Sequence, residues 1–424
     1  MKRRLFLRAG GAGAALAMIS SRASGAGPAS PKVLVVGGGY GGAAAAKYVR
    51  LWSRAGIDVS LIEPAADFVS CPLSNLVLGG SRQIGDITLS LDGLARRHGV
   101  RIVRDRVQAI DPERRTVRLA GGDTLSYDRL ILSPGVDFIW DQLPGMQQPG
   151  AREKILHAWK AGPQTTALRA QLEAMPDGDT FAMTVPPAPY RCPPGPYERV
   201  CQVAHYFSLH KPRSRVLLLD ANTDVVSKGA LFRKVWRERY GGIIDYRPGF
   251  RTVDVDAGTL TAVSELDDRE QASVLNVVPP QRAADIAVQT GLASANKRWC
   301  DVDFLTFEST QAKGIHVIGD AIQTAPLMPK SAHMANQHAK VCAAAVVDLL
   351  SDRQPEPFPM LTNTCYSFIS DKDVIHVASV HAYDAEQKTL LAVKGSGGVS
   401  AAESELEGVY AVDWARNIWA DTLA

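Results

Sequence analysis

Lys32-Val-Leu-Val-Val-Gly-Gly-Gly-Tyr-Gly-Gly42 decides the fold of this chain. Val33 to Val36 are apolar without a break, which is the length and character of a short buried strand. Glycines begin at once: Gly37, Gly39 and Gly42 stand at G-x-G-x-x-G spacing, and small residues from Ala43 to Tyr48 open a helix. The first glycine lets the chain turn tightly, the second lets a pyrophosphate approach the backbone, and the third lets helix and strand pack closely. The free N–H groups and dipole of the helix then face the phosphates. A second strand, Asp58-Val-Ser-Leu-Ile62, ends in Glu63, 24 positions after Gly39 and well placed for a ribose hydroxyl. A lone glycine triplet says little. Strand, glycines, helix, strand and acid in this order read as a dinucleotide-binding βαβ unit.

At 424 residues the chain suits two or three domains. Its formal charge of +3 hints at an acidic partner only until the first residues are set aside. Met1 to Ala26 hold Lys2, Arg3, Arg4, Arg8 and Arg22 and no acid, so the remainder carries −2 and nothing favours nucleic acid. Lys2-Arg-Arg-Leu-Phe-Leu-Arg8 resembles a twin-arginine export motif, followed by a glycine- and alanine-rich run to Ile19 and small residues at Ser24-Gly25-Ala26. Residues 1–26 are therefore expected to be a signal peptide that sends a folded, cofactor-loaded protein to the periplasm. No later stretch has the roughly 18 consecutive apolar residues of a membrane helix, so no transmembrane anchor is expected in the mature chain.

After Glu63 comes Asp67-Phe-Val-Ser-Cys-Pro-Leu-Ser-Asn75 and then Gly79-Gly80, which reads as a polar loop carrying a cysteine. Strands are expected from Val103 to Leu132, with turns at Asp111-Pro112 and Gly121-Gly122. Tyr127-Asp-Arg-Leu-Ile-Leu-Ser-Pro-Gly135 resembles the strand and glycine turn by which flavoproteins with two dinucleotide folds leave the first of them. A second unit follows, with strands at Thr180–Val185 and Arg215–Asp220 and a helical segment from Tyr197 to Leu209 between them. Where its phosphate loop should be, six of the eleven residues from Pro186 to Pro196 are proline, which offers no N–H to a phosphate. Gly314-Ile-His-Val-Ile-Gly-Asp320 reads as a buried strand returning to the first unit, with Asp320 at its end. Pro329 and Lys330 precede a long helix, Ser331 to Leu350, whose N-terminus favours negative charge. From Glu356 a small α+β unit is expected, with Cys365 near its start and Trp414 and Trp419 near its end.

Cysteines stand at positions 71, 192, 201, 300, 342 and 365, with no C-x-x-C pair and no C-x-x-C-H haem attachment site. The histidines show no ligand spacing with them, so no metal site is expected; His333 and His338 read as ordinary surface contacts on a helix. Cys201, Cys300 and Cys342 lie among apolar neighbours and read as small buried residues.

Eight stretches together resemble the flavoprotein subunit of flavocytochrome c sulfide dehydrogenases along nearly all of the mature length. They are Val35-Val-Gly-Gly-Gly39, Leu61-Ile-Glu-Pro64, Cys71-Pro-Leu-Ser-Asn75 and His157-Ala-Trp-Lys-Ala-Gly162 in the first half. Arg191-Cys-Pro-Pro-Gly-Pro-Tyr-Glu-Arg199, Pro279-Pro-Gln-Arg-Ala283, Gly314-Ile-His-Val-Ile-Gly-Asp320 and Asn363-Thr-Cys-Tyr366 complete the set. The glycine loop and the Gly-Asp turn are shared by many flavoproteins, whereas the stretches around Cys192 and Cys365 are specific. The resemblance implies an α/β fold like glutathione reductase: two Rossmann-like dinucleotide-binding-type domains plus a small α+β C-terminal domain. The divisions expected are an FAD-binding domain over 27–145 and 283–355, a second Rossmann-like domain without a nucleotide loop over 146–282, and a cap over 356–424. It implies FAD held by Gly37, Gly39, Gly42, Glu63, Gly135, Asp320 and Lys330, and joined through a thioether to Cys71.

The same resemblance implies that Cys192 and Cys365 form a redox disulfide, with Glu198 as an acid that moves protons. Sulfide would be the substrate, sulfane sulfur the product, and a c-type cytochrome subunit, which alone carries haem, the electron acceptor. Hydrosulfide is a soft nucleophile that a disulfide accepts, and the flavin carries the electrons onward to haem one at a time. Other readings remain compatible with parts of this pattern. A sulfide:quinone oxidoreductase would share the disulfide but needs a membrane-facing carboxyl-terminal segment, whereas Glu403 to Ala424 mixes several acids with its apolar residues. A pyridine-nucleotide-dependent disulfide reductase lacks support because its second phosphate loop is missing. A non-catalytic flavin-binding partner protein would explain the glycine loop but not the two cysteine motifs.

Overall fold

The computed structural model describes residues 30–424, so the signal peptide read from residues 1–26 lies outside the described residues. Lys32–Val36 forms the expected strand, and the sheet built on it is parallel throughout. Its order is Ile315–Val317, Arg129–Leu132, Lys32–Val36, Asp58–Ile62, Arg101–Val103. The returning strand near position 315 thus joins the sheet of the first hundred residues. Helical coverage buries both faces, which is why Val33, Val35, Leu61, Leu130 and Ile131 are apolar without alternation. Strand order reverses at Lys32–Val36, so the crevice that binds ligands in such sheets opens beyond its carboxyl end, at the glycines.

Helix Tyr40–Trp52 follows the glycines, and Ala43 to Ala46 are fully buried in it. Their small side chains let it lie against helix Ala332–Leu349, which begins one residue later than the sequence indicates because Ser331 is its cap, accepting from the Met334 N–H at 3.0 Å. A second parallel sheet runs Ile244–Pro248, Arg215–Asp220, Thr180–Val185, Val274–Val277. Two of its strands form at the residues read from the sequence, and the helix between them covers Gly195–His210. The last unit pairs Met360–Phe368 with Val374–Asp384 and Val374–Asp384 with Thr389–Ala392, all antiparallel, and ends in helix Glu405–Leu423. No helix among the described residues is long and apolar enough to cross a membrane.

One segment departs from its reading. The supposed polar loop after Asp67 contains a strand, Asp67–Val69, and a helix, Ser74–Gly79. Leu76, Val77 and Leu78 are buried there against helices Pro163–Ala174 and Gly195–His210. Three apolar residues are too few to show a period, so this helix owes its existence to packing that sequence alone does not display.

Candidate active site

A cavity of about 480 Å³ runs from the glycine loop to the cysteines, within the usual size range of small-molecule sites. Its first end is built of backbone. Gly37 has φ +96°, and a Cβ there would strike the Ser133 carbonyl; one on Gly42 would strike the Gly37 carbonyl. Gly39 has no atom within 4 Å of its Cβ position and faces the open cavity, as a backbone awaiting a bulky phosphate group must. Glu63 lines the same end, with Oε2 accepting from Gly38 N at 2.6 Å and Oε1 from Ala65 N at 2.8 Å. Gly135 lines the cavity at φ +68°, a turn that disfavours a side chain.

Further in, Asp320 reaches the wall from the turn after Ile315–Val317. Its Oδ1 is buried and has no hydrogen-bond partner among the described residues. Burial pushes this carboxyl up, and Arg191 and Lys330 oppose the shift. An orphaned buried acceptor is rare in folded proteins and suits a ligand hydroxyl. Together with the open Gly39 backbone, the Glu63 carboxylate and the helix N-terminus at Ser331 and Ala332, it makes a donor and acceptor set that fits FAD. Cys71 is a half-buried free thiol on this wall. Arg191 stands beside it: burial loosens the guanidinium's proton, but Cys71, Asp320 and Cys192 outweigh that and hold it.

Lys330 does not take the place expected of it. The side chain is 3% exposed, lies 3.6 Å from the centre of the Trp299 ring, and donates to the carbonyls of Asp320 (2.9 Å) and Ile322 (2.5 Å). The ammonium therefore braces the Gly-Asp turn from behind rather than meeting the cavity, and burial drops its pKa to about 7. The histidines are also not surface groups. His338 is buried, accepts from Gly319 N at 3.2 Å and is held neutral by burial, at about 3. His333 lines the cavity and accepts from Thr364 N at 2.9 Å, beside Cys365 in sequence.

At the far end the structure brings Cys192, Cys365 and Glu198 onto one wall. Both cysteines are half-buried free thiols. Cys192 precedes helix Gly195–His210 in a left-handed conformation, φ +59°, fixed by its N–H to the Lys330 carbonyl and its carbonyl to Gly195 N, each 2.8 Å. Cys365 comes from strand Met360–Phe368. Burial pushes both thiols up; Cys365 and Glu198 push Cys192 further, while Lys228 eases Cys365 down. Glu198 joins the two cysteine-bearing segments: Oε1 accepts from Phe368 N and Oε2 from Asn75 Nδ2, each at 2.9 Å. Burial raises this carboxyl above its ordinary range.

Sequence reading gave no role to several neighbours. Arg199 is buried and donates to Asn75 Oδ1, Asn276 Oδ1 and the carbonyls of His157 and Ala158, knitting four segments around the acid. Lys228, in a turn without a recognisable motif, sends its ammonium to Cys365 O at 2.9 Å and Ser367 Oγ at 2.7 Å. Helix Glu405–Leu423 supplies Ala411 and Trp414 to the wall. Asp421 fastens that helix, accepting from Tyr48 Oη at 2.5 Å and Asn336 Nδ2 at 2.8 Å and pairing with Lys340 at 2.9 Å; Trp419 Nε1 reaches Tyr40 Oη at 3.0 Å.

The second parallel sheet ends differently. Asp220, which closes strand Arg215–Asp220 as Glu63 follows the second strand of the first sheet, is fully buried and accepts from Tyr197 Oη at 2.8 Å, Tyr246 Oη at 3.3 Å and Asn222 N at 2.9 Å. Side chains from within take up the carboxylate that a ribose would need.

The likenesses to known proteins agree with this geometry. The family model described as "Sulfide dehydrogenase [flavocytochrome c] flavoprotein chain, central" matches residues 165–279, and "Flavocytochrome c sulphide dehydrogenase, flavin-binding" matches 357–423. "Pyridine nucleotide-disulphide oxidoreductase" matches 31–174. Mitochondrial sulfide:quinone oxidoreductase of Mus musculus is 25% identical over 302 residues, 68% of this chain and 65% of that protein, so the match spans just under two thirds of the relative's length. A sulfide dehydrogenase [flavocytochrome c] flavoprotein chain of Chlorobaculum thiosulfatiphilum is 54% identical over 46 residues, 11% of this chain and 94% of that sequence. In fold, the sulfide:quinone oxidoreductase of Aquifex aeolicus superposes with a TM-score of 0.75 at 16% identity, covering 92% of this chain and 91% of the other. On these matches the chain belongs to the flavocytochrome c sulfide dehydrogenase flavoprotein family.

Proposed function

We propose that this chain is an exported flavoprotein that oxidises sulfide to sulfane sulfur through a Cys192–Cys365 disulfide and passes the electrons to a c-type cytochrome subunit. The observation that carries the reading is the meeting of Cys192 and Cys365, 173 positions apart, on one cavity wall with a buried carboxylate and a buried ammonium beside them. Hydrosulfide attacks one sulfur of the disulfide; the old S–S bond breaks as a new one forms, leaving a persulfide and a thiolate. Burial opposes that thiolate, and Lys228 beside both sulfurs and Arg191 beside Cys192 lessen the opposition without cancelling it. Glu198, whose carboxyl burial pushes up from its ordinary range and so makes a better proton acceptor, takes the proton that the incoming sulfur sheds. Bound FAD supplies a two-electron acceptor able to release electrons singly. Gly37, Gly39, Glu63, Gly135 and Asp320 would hold it, and Cys71 would tether it.

Purified protein tests this directly. Sulfide should reduce a c-type cytochrome faster than a soluble quinone, and Cys192→Ser or Cys365→Ser should keep FAD while losing sulfide-driven flavin reduction by several orders of magnitude. Faster turnover with quinone would move the chain to the sulfide:quinone reading, which the mouse relative favours. No turnover with either acceptor would leave a flavin-binding partner protein.

A further inference from the structure

Lys228 carries two unfavourable features at once. It is a non-glycine residue in the left-handed region, φ +56° and ψ +31°, immediately before helix Gly229–Arg239. Its side chain is also buried, at 8% exposure, with Nζ donating to Cys365 O (2.9 Å), Ser367 Oγ (2.7 Å) and, more weakly, Ile375 O (3.4 Å). Each of these acceptors is neutral, and no ion pair among the described residues includes Lys228. Buried ammonium groups are normally paired with carboxylates, and strained backbone persists mainly where function needs it. A mere staple between strands Met360–Phe368 and Val374–Asp384 would need donors but no charge. The unmatched charge sits instead behind the cavity wall, on the carbonyl of Cys365, the residue whose sulfur lines the cavity.

We infer that Lys228 is the positioning cation for anionic sulfur on Cys365, so that hydrosulfide attacks Cys192 and Cys365 departs as the thiolate. The inference rests on the sulfide reading above. In balanced form, a lone pair of hydrosulfide forms the bond to the Cys192 sulfur. The Cys192–Cys365 bond breaks, and its electron pair leaves on Cys365 Sγ. One negative charge enters and one remains, now beside Lys228, while the proton of the new persulfide passes to Glu198. Other groups facing Cys365 are Glu198, which disfavours its anion, and Asn363, whose Nδ2 donates to the sulfur at 3.5 Å with Ser331 alongside; Cys192 stands across the cavity wall from it. His333 caps Thr364 next to it and is held neutral by burial, at about 4. Lys228 itself is drawn down by burial to about 8, with Cys365, Glu198, Cys192 and Glu407 opposing, so it is charged at neutral pH and loses its hold above that value.

The test reads thiolate character without sulfide. In FAD-loaded Cys192→Ser protein, the rate of Cys365 alkylation by iodoacetamide is followed from pH 5 to 10 by site-resolved mass spectrometry. Lys228→Gln, which keeps a donor and loses the charge, should raise the midpoint by about one unit and slow labelling roughly tenfold at pH 7. Lys228→Arg should restore it. Superimposable profiles for Lys228 and Lys228→Gln would overturn the inference and leave a staple. If Lys228→Gln does not retain FAD, Ser367→Ala decides: freeing the ammonium from a neutral acceptor lowers the midpoint if it serves sulfur and leaves it in place if it does not. A shifted profile in a protein inactive toward sulfide would discard the sulfide reading alone.

Discussion

Asp320 gives the sharpest test of the cofactor site, because one substitution should move affinity and stability in opposite directions. Its Oδ1 is buried without a partner among the described residues, so the chain without flavin bears the full desolvation of that acceptor. With a cofactor hydroxyl in place, the same atom gains a charge-assisted hydrogen bond of about 1.5–3 kcal/mol. Asp320→Ala should therefore weaken FAD binding roughly 10- to 150-fold. Asp320→Asn, which keeps an acceptor and the volume but not the charge, should lose about 1 kcal/mol, roughly fivefold. Thermal stability of the flavin-free chain should hold or rise in Asp320→Asn, since an orphaned carboxylate is replaced by a group less costly to bury. Titration of flavin-free protein with FAD by fluorescence quenching, in a Cys71→Ala background so that no covalent bond intervenes, gives the affinities. Scanning the same samples without FAD gives the stability. An Asp320→Ala affinity within twofold of the parent would refute the assignment of Asp320 to the flavin.

Three further outcomes are expected. Denatured, desalted protein should remain yellow and weigh one FAD more than its polypeptide, and Cys71→Ala should release the colour; a colourless denatured chain would refute the tether. Glu198→Gln must set an amide N–H₂ against either Phe368 N–H or the Asn75 amide, whose Oδ1 is already committed to Arg199. It should cost about 1–3 kcal/mol by denaturant unfolding. Sulfide-driven flavin reduction should fall as the pH drops below the raised Glu198 pKa in the parent and lose that limb in the variant; a limb that persists would place the proton acceptor elsewhere. NADH should bleach the flavin slowly at micromolar levels, because Tyr197 and Tyr246 occupy Asp220; rapid anaerobic reduction would show a second dinucleotide site.

The parts of this molecule that follow from nearest neighbours along the chain could be read from its letters. The glycine loop is local, since Gly37, Gly39 and Gly42 serve one turn, and the largely apolar strands Thr180–Val185 and Arg215–Asp220 are local too. Cys192 and Cys365 stand out through family motifs rather than through spacing, because nothing in a span of 173 residues says that the chain returns. Lys228 was invisible: a lysine in a Ser-Lys-Gly turn looks like any exposed one, and only the strands of a later unit bury it. His338 and Lys330 read as surface or cofactor groups for the same reason, as their partners Gly319 and Trp299 lie on other elements.

The fastening of helix Glu405–Leu423 bears on how the protein is made. Trp414 lines the same cavity as the glycine loop, and Asp421 ties its helix to Tyr48 and Asn336, so part of the cavity wall is supplied more than 350 residues after Gly39. At roughly 5–20 residues per second of synthesis, the glycine loop emerges from the ribosome some 20–70 seconds before that wall exists. A nascent chain in this interval has half a binding site, with Tyr40 and the apolar side of helix Tyr40–Trp52 uncovered. Cofactor capture is therefore an event of the completed polypeptide, and a ribosome stalled before Glu405 would yield a chain able to fold its first sheet but unable to close around a flavin.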